Sequence, residues 1–434
     1  MKFQLLFLAA LVFVSCNTPT ASTDSCELID LGLVGARTDS LYAAGNSQQA
    51  AWEYFQAGEK NQSSELFVYA AWQYGEAANP DSALIAVKRA AEFGMNSPFI
   101  LDKAGVDKMS KNSPHREEVD QILAEIEARN NSVDNFEIVP TPISRFWTYF
   151  DQALADTANA KEYLSAYICE GSYALRDYYH IRYENVEKMN GVMIKQNPEY
   201  YQYVREHITA EEIENITQEA EQMMVNLSKL YPKAVFPKTY LIPDLINGSG
   251  TLTELGLFIG VTMFAKSDSM PDENLNDWQK GTITEFENMK FDLVHELMHF
   301  QQSYSDLRTR ELLVGKLIEE GVCNFLVSLC IEGESSKISP LEKRNQEYIK
   351  DPENYERLMA ELKEKLYTHD LSKWMHNGGW ITDRPSNLGY SIGFLICQSY
   401  YENSSDKKKA IYELLNTDRF EDIYEQSDFK DLLE

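Results

Sequence analysis

Two histidines four residues apart inside an apolar helix constrain this chain more than any other feature. The segment is His295-Glu296-Leu297-Met298-His299, flanked by Phe291, Leu293, Val294 and Phe300. Residues four apart share one helix face, so both imidazoles can reach a single zinc ion. Glu296 stands about 100° further round the helix, where it can lie beside a metal-bound water without coordinating. Polar groups in such a helix need a reason, because burying them without partners is costly. The chain holds only 7 histidines in 434 residues, so a pair at this spacing is not an expected accident.

A third ligand has to come from elsewhere. Leu313, Leu317, Ile318, Val322, Phe325, Leu326 and Leu329 mark an amphipathic helix whose apolar pattern is broken by Glu319-Glu320-Gly321. Glu320 lies 21 positions after His299, enough for a turn and a return helix. Two histidines, one carboxylate and a water form a known hydrolytic zinc set. On spacing alone, Glu319 and Glu320 both remain candidates.

These segments resemble the gluzincin metallopeptidases. In that clan a glutamate on a following helix, often directly before a glycine, completes the site. The resemblance therefore implies Glu320 rather than Glu319, with His295, His299 and Glu320 holding Zn2+ and Glu296 as the general base. The metzincin pattern would need a third histidine six positions after His299, and that residue is Ser305. One departure concerns the position four after the ligand glutamate. Several gluzincins carry there an aspartate that orients a histidine; here it is Asn324, which can accept an imidazole N–H but brings no charge. Asp292 is another group that could support the ligands.

The likeness is wider than the motif. The aromatic run 163–182, two strand-like segments between 239 and 264, and Leu388-Gly389-Tyr390-Ser391-Ile392-Gly393 resemble predicted bacterial zinc proteases. Gliding-motility lipoproteins are similar in outline. The resemblance covers roughly residues 140 to 405. It implies that the Gly-Tyr-x-x-Gly segment returns to the site, making Tyr390 the candidate donor to an oxyanion, with His376 second. His180 reads instead as a satisfied core histidine.

The expected fold is mainly α with a small β-sheet: a helical N-terminal hairpin domain at 41–130 and a metallopeptidase domain at 136–434. Trp52, Phe55, Phe67, Ala70, Ala71, Tyr74, Ala83, Val87 and Ala90 recur at helical spacing. Asn79-Pro80 reads as a cap and first turn, and Gly94 as the end of that helix. The stretch resembles a tetratricopeptide-type hairpin and is either a scaffold or a docking surface for a protein partner. Thr239-Tyr240-Leu241-Ile242 and the apolar run 257–264 read as strands, separated by the turn chemistry of Asn247-Gly248-Ser249-Gly250. The 257–264 run is the expected edge strand for pairing with an extended peptide.

The first 16 residues read as a secretory signal ending at Val14-Ser15-Cys16, which resembles a bacterial lipobox. Cys16 would carry lipid, and residues 17–40 would form a tether. Asn17 follows the cysteine with no acidic run after it, and resemblance to known sorting rules implies an outer-membrane lipoprotein facing the periplasm. The five other cysteines are odd in number and show no metal-ligand spacing, so they read as small buried hydrophobes. The net charge of -28, from 68 acidic and 40 basic residues, repels phosphate backbones and speaks against nucleic-acid binding. The leading expectation is a zinc metallopeptidase acting on peptides or proteins. The alternative is a non-catalytic assembly lipoprotein with a structural or vestigial zinc site.

Overall fold

A computed structural model describes residues 26, 28–96, 113–333, 337–378 and 380–429. The signal segment, lipobox and Cys16 lie outside these described residues, as does 97–112 within the helical region.

The N-terminal part is built of antiparallel helices: α1 (Leu31–Ala43), α2 (Ser47–Asn61), α3 (Ser64–Glu76), α4 (Pro80–Glu92) and α5 (Arg116–Asn130). Residues 31–40, expected as tether, form most of α1. Local chemistry starts each of the first four helices. The side chains of Asp30, Asn46, Ser63 and Asn79 accept backbone N–H bonds of the first turns. Gly94 takes φ +97°, and Met95 N–H bonds back to Ala90 C=O, closing α4 as the sequence suggests. Phe67, Ala71, Val87, Ala90 and Ile126 belong to a core separate from the larger one that follows.

The remainder wraps helices around one four-stranded sheet. Its strands are β1 (Ile138–Val139), β2 (Thr239–Ile242), β3 (Gly250–Thr253) and β4 (Gly256–Gly260), in the order β1-β2-β4-β3. β1, β2 and β4 run parallel, and β3 returns antiparallel on β4. This corrects the expected edge. The apolar 257–264 run is strand only to Gly260 and sits inside the sheet; Val261–Phe264 is a 3-10 turn. Every residue of β4 is buried, as suits a strand paired on both sides. The edge on this side is β3, drawn partly from the segment expected as a turn.

Helices α6 (Thr141–Ala155), α7 (Ala160–Cys169), α8 (Tyr173–Tyr178) and α9 (Ala210–Leu230) precede the motif helix α10 (Met289–His299). Then come α11 (Leu313–Cys330), α12 (Pro340–Lys350) and α13 (Leu388–Asn403), with further helices between. α11 and α13 cross in backbone contact. A Cβ on Gly321 would lie 2.0 Å from Gly393 C, and one on Gly393 would lie 1.7 Å from Leu317 O. The glycines at this crossing thus permit the close approach.

The cysteines need a second correction. Cys26 and Cys169 form a disulfide across 143 positions, while Cys323, Cys330 and Cys397 are buried free thiols, as expected. A partner so distant in sequence leaves no local signal. Among the described residues, no helix is long and apolar enough to cross a membrane.

Candidate metal centre

α10 buries Phe291, Leu293, Val294, Leu297 and Met298, and this packing fixes the opposite face. On that face the rings of His295 and His299 stand 5.0 Å apart. α11 returns across them and brings Glu320 Oε2 to 3.2 Å from His295 Nε2 and 3.4 Å from His299 Nε2. Two tetrahedral ligands bonded to zinc at roughly 2.0–2.1 Å stand about 3.3 Å from each other. Both separations match that ligand-to-ligand edge.

The outer ring nitrogens are held as well. His295 Nδ1 lies 2.7 Å from Asn324 Oδ1, and His299 Nδ1 lies 2.9 Å from Gln302 Oε1. Each amide is itself oriented. Asn324 Nδ2 donates to Glu342 Oε2 at 3.5 Å, and Gln302 Nε2 donates to Glu319 C=O at 2.6 Å. An amide oxygen only accepts, so each imidazole donates from Nδ1 to its amide and is left with Nε2 as the atom that meets Glu320. Asn324 therefore does the orienting work expected of it, and a carboxylate, Glu342, stands one bond behind. Burial raises the Glu342 pKa, while Gln346 and Ser391 hydrogen-bond to its carboxylate.

Electrostatics agree with the geometry. Burial opposes ionising Glu320, but the charges and hydrogen bonds of His299 and His295 hold its carboxyl well below the usual range. Burial likewise opposes protonating His295, and Glu320 overrides it upward. Glu319, the other acid, turns away to Arg310 and Lys316, whose Nζ stands 2.9 Å off.

A second donor trio, His295, His299 and Cys323, also falls within metal-ligating reach. Glu320 fits better. Cys323 Sγ lies 3.6 Å from Nδ1 of His299, the nitrogen already engaged with Gln302. Burial also pushes its thiol up to about 11, whereas the two imidazoles favour the charged form of Glu320. Glu320, unlike Cys323, lines a cleft of about 1370 Å³ shared with His295, Glu296, His299 and Tyr390.

Glu296 lies against the sheet edge. A Cβ on Gly250 would stand 2.3 Å from Glu296 Cδ and 2.5 Å from its Oε1, so a side chain here on β3 would have to displace this carboxylate. Asp292 lies in the same cleft, and desolvation pushes its carboxyl up to about 7. The two oxyanion candidates meet: Tyr390 Oη stands 3.4 Å from His376 Nδ1, and the Tyr390 ring centroid 6.0 Å from that of His295. His376 takes φ +52°, beside Asn377 and Asn387, which bond each other's backbone N–H groups. His180 lies apart in the core. Its ring nitrogens find no hydrogen-bond partner among the described residues, and burial pushes it down to about 3, so it is not the satisfied histidine expected.

A family model described as gliding motility protein GldB matches residues 129–431. The chain belongs to the GldB family. That family is one of lipoproteins, which makes this GldB-family chain a lipoprotein of the cell envelope. No curated protein and no solved structure matches it. His295, Glu296, His299, Glu320, Tyr390 and the residues that orient them all fall inside the GldB match, while α1 to α4 precede it. Gln302, Glu342 and Gly250 carry roles that sequence reading did not assign. Only Gln302, one helical turn after His299, had a spacing that could have pointed to it.

Proposed function

We propose that this chain is a zinc-dependent peptidase anchored to the envelope by lipid on Cys16 and facing the periplasm from the outer membrane. The observation that carries the reading is the meeting of Glu320 Oε2 with two Nε2 atoms whose rings are locked from behind by Asn324 and Gln302. His295, His299 and Glu320 would hold the ion. Bound there, zinc supplies a Lewis acid that makes a water acidic and polarises a scissile carbonyl. Glu296 accepts the water's proton and passes it to the leaving amine. Tyr390, supported by His376, donates to the oxyanion that develops on the substrate.

The substrate is a peptide or protein segment in extended form. Gly260 N–H bonds to Ser249 C=O, so alternation along β3 turns the N–H and C=O groups of Gly250 and Leu252 away from β4 and toward a further strand. That edge runs directly over Glu296. The Cys26–Cys169 disulfide suits an oxidising compartment such as the periplasm.

The second reading is a non-catalytic assembly lipoprotein in gliding motility, the activity in the family's name, with a structural zinc. It is favoured by Trp52 and Ile85, exposed on α2 and α4 where a protein partner could dock. Glu296→Ala separates the two. In a peptidase the variant keeps zinc and loses cleavage of a quenched-peptide panel; cleavage that persists unchanged refutes the mechanism.

A further inference from the structure

Arg182 stands at the end of the edge strand with its charge unmatched. It comes from a π-helical turn, Tyr179–Tyr183, followed by Glu184 at φ +64°. Single π turns are rare and often mark functional positions, and a non-glycine residue at positive φ is strained. The result is a guanidinium laid along β3. Arg182 Nε donates to Thr251 Oγ1 at 2.8 Å, and Nη2 donates to Gly250 C=O at 3.3 Å. In a chain with 68 acidic side chains, no carboxylate among the described residues pairs with it.

Two consequences meet at this residue. Gly250 C=O is one of the outward groups that a paired peptide would use, and Arg182 already occupies it. A strand added to β3 therefore stops at Arg182. The remaining N–H groups of the guanidinium, in the same cleft as Glu296, are left for whatever the strand ends on. Only Gly250 separates the two residues: its C=O takes the Arg182 bond, and its Cα abuts the Glu296 carboxylate.

We infer that Arg182 binds a carboxylate of the substrate next to the scissile bond, so that the enzyme prefers peptides carrying one there. This rests on the peptidase reading and specifies its substrate. Arginine suits the task because its planar fork matches a carboxylate with two parallel hydrogen bonds. The carboxylate comes either from the peptide's own C-terminus, giving carboxypeptidase-like action, or from an acidic side chain.

The test uses three fluorescein-labelled alanine-rich hexapeptides. One ends in a free carboxylate, one in a carboxamide, and one in glutamate with a carboxamide. Binding is read by anisotropy on the full chain carrying Glu296→Gln, with zinc and with chelator, so a preference is scored even if wild type cleaves nothing. Either carboxylate peptide should bind about tenfold or more tighter than the neutral one. If only the free terminus gains, the source is the α-carboxylate; if only the glutamate peptide gains, it is the side chain; if both gain, Arg182 accepts either carboxylate. In Arg182→Gln, which keeps an amide donor for Gly250, the ratio should fall to about one. Should that variant not unfold cooperatively, Arg182→Lys, which loses the fork, should show a reduced ratio. Equal affinity for all three peptides, or a preference undiminished in a folded Arg182 variant, overturns the inference. Cleavage retained in Glu296→Ala sinks the peptidase reading and leaves this binding result standing.

Discussion

Glu320 is a half-buried carboxylate and Asp177 a fully buried one, and their surroundings push them in opposite directions. Glu320 lies between two imidazoles that pull its pKa down against burial. Asp177 lies where α8 meets the N-terminal helices, and burial raises its pKa well above the ordinary value, with the nearby Glu65 adding to the rise. Glu65 is itself raised by burial, and its Oε2 accepts from the backbone N–H of Glu254, another fully buried acid. Asp177 Oδ2 accepts from Glu65 N–H at 3.3 Å, in the first turn of α3, so its use is structural: it caps a helix and ties two parts of the chain together. Burial of acid therefore does not by itself mark a functional centre. What sets Glu320 apart is its complementary donors, the locked ring orientations and the open cleft.

This contrast can be broken or sharpened, starting with its largest expected effect. Glu320→Ala should weaken zinc binding by more than about a hundredfold in competition with a fluorescent chelator, because it removes a ligand rather than a support. Unchanged affinity would make Glu320 as structural as Asp177. Asn324→Ala and Gln302→Ala should each cost about 10- to 100-fold in the same assay, since each frees one imidazole to turn. Gly250→Ala places a methyl 2.3 Å from Glu296 Cδ. It should lower peptide cleavage by about a hundredfold while leaving zinc affinity intact, because it displaces the base and not the ligands.

The smallest effect belongs to the other cluster and concerns pH. The folded forms of Asp177 and Glu65 hold protons that the unfolded chain releases near pH ~4. The stability they contribute is therefore present at low pH and lost as pH rises from the ordinary carboxylate range through their raised values. Asp177→Asn and Glu65→Gln should each flatten this decline, on the order of 1 kcal/mol at neutral pH, in thermal unfolding at pH 4.5 and 7.5. A decline as steep as in wild type would show that ionisation of these acids is not what the interface opposes.

The motif helix was legible in sequence because helical periodicity alone places His295 and His299 on one face. The break in the apolar pattern of α11 exposed Glu319 and Glu320, and only the resemblance to gluzincins chose between them. The structure supplies the physical reason: Glu319 is taken by Arg310 and Lys316. The edge strand was misread because a fully apolar run marks the centre of a sheet better than its rim. Gly250 and Arg182 were invisible for a different cause. One acts through the Cβ it lacks, and the other reaches β3 across 69 positions by way of a π turn. The Cys26–Cys169 pair, 143 positions apart, was hidden in the same way.

The most direct test is anomalous scattering at the zinc edge from crystals grown with one equivalent of zinc. A single peak is expected, about 2.0–2.2 Å from the Nε2 atoms of His295 and His299 and from a Glu320 oxygen. A peak bound instead by Cys323, or no peak on these histidines, would contradict it.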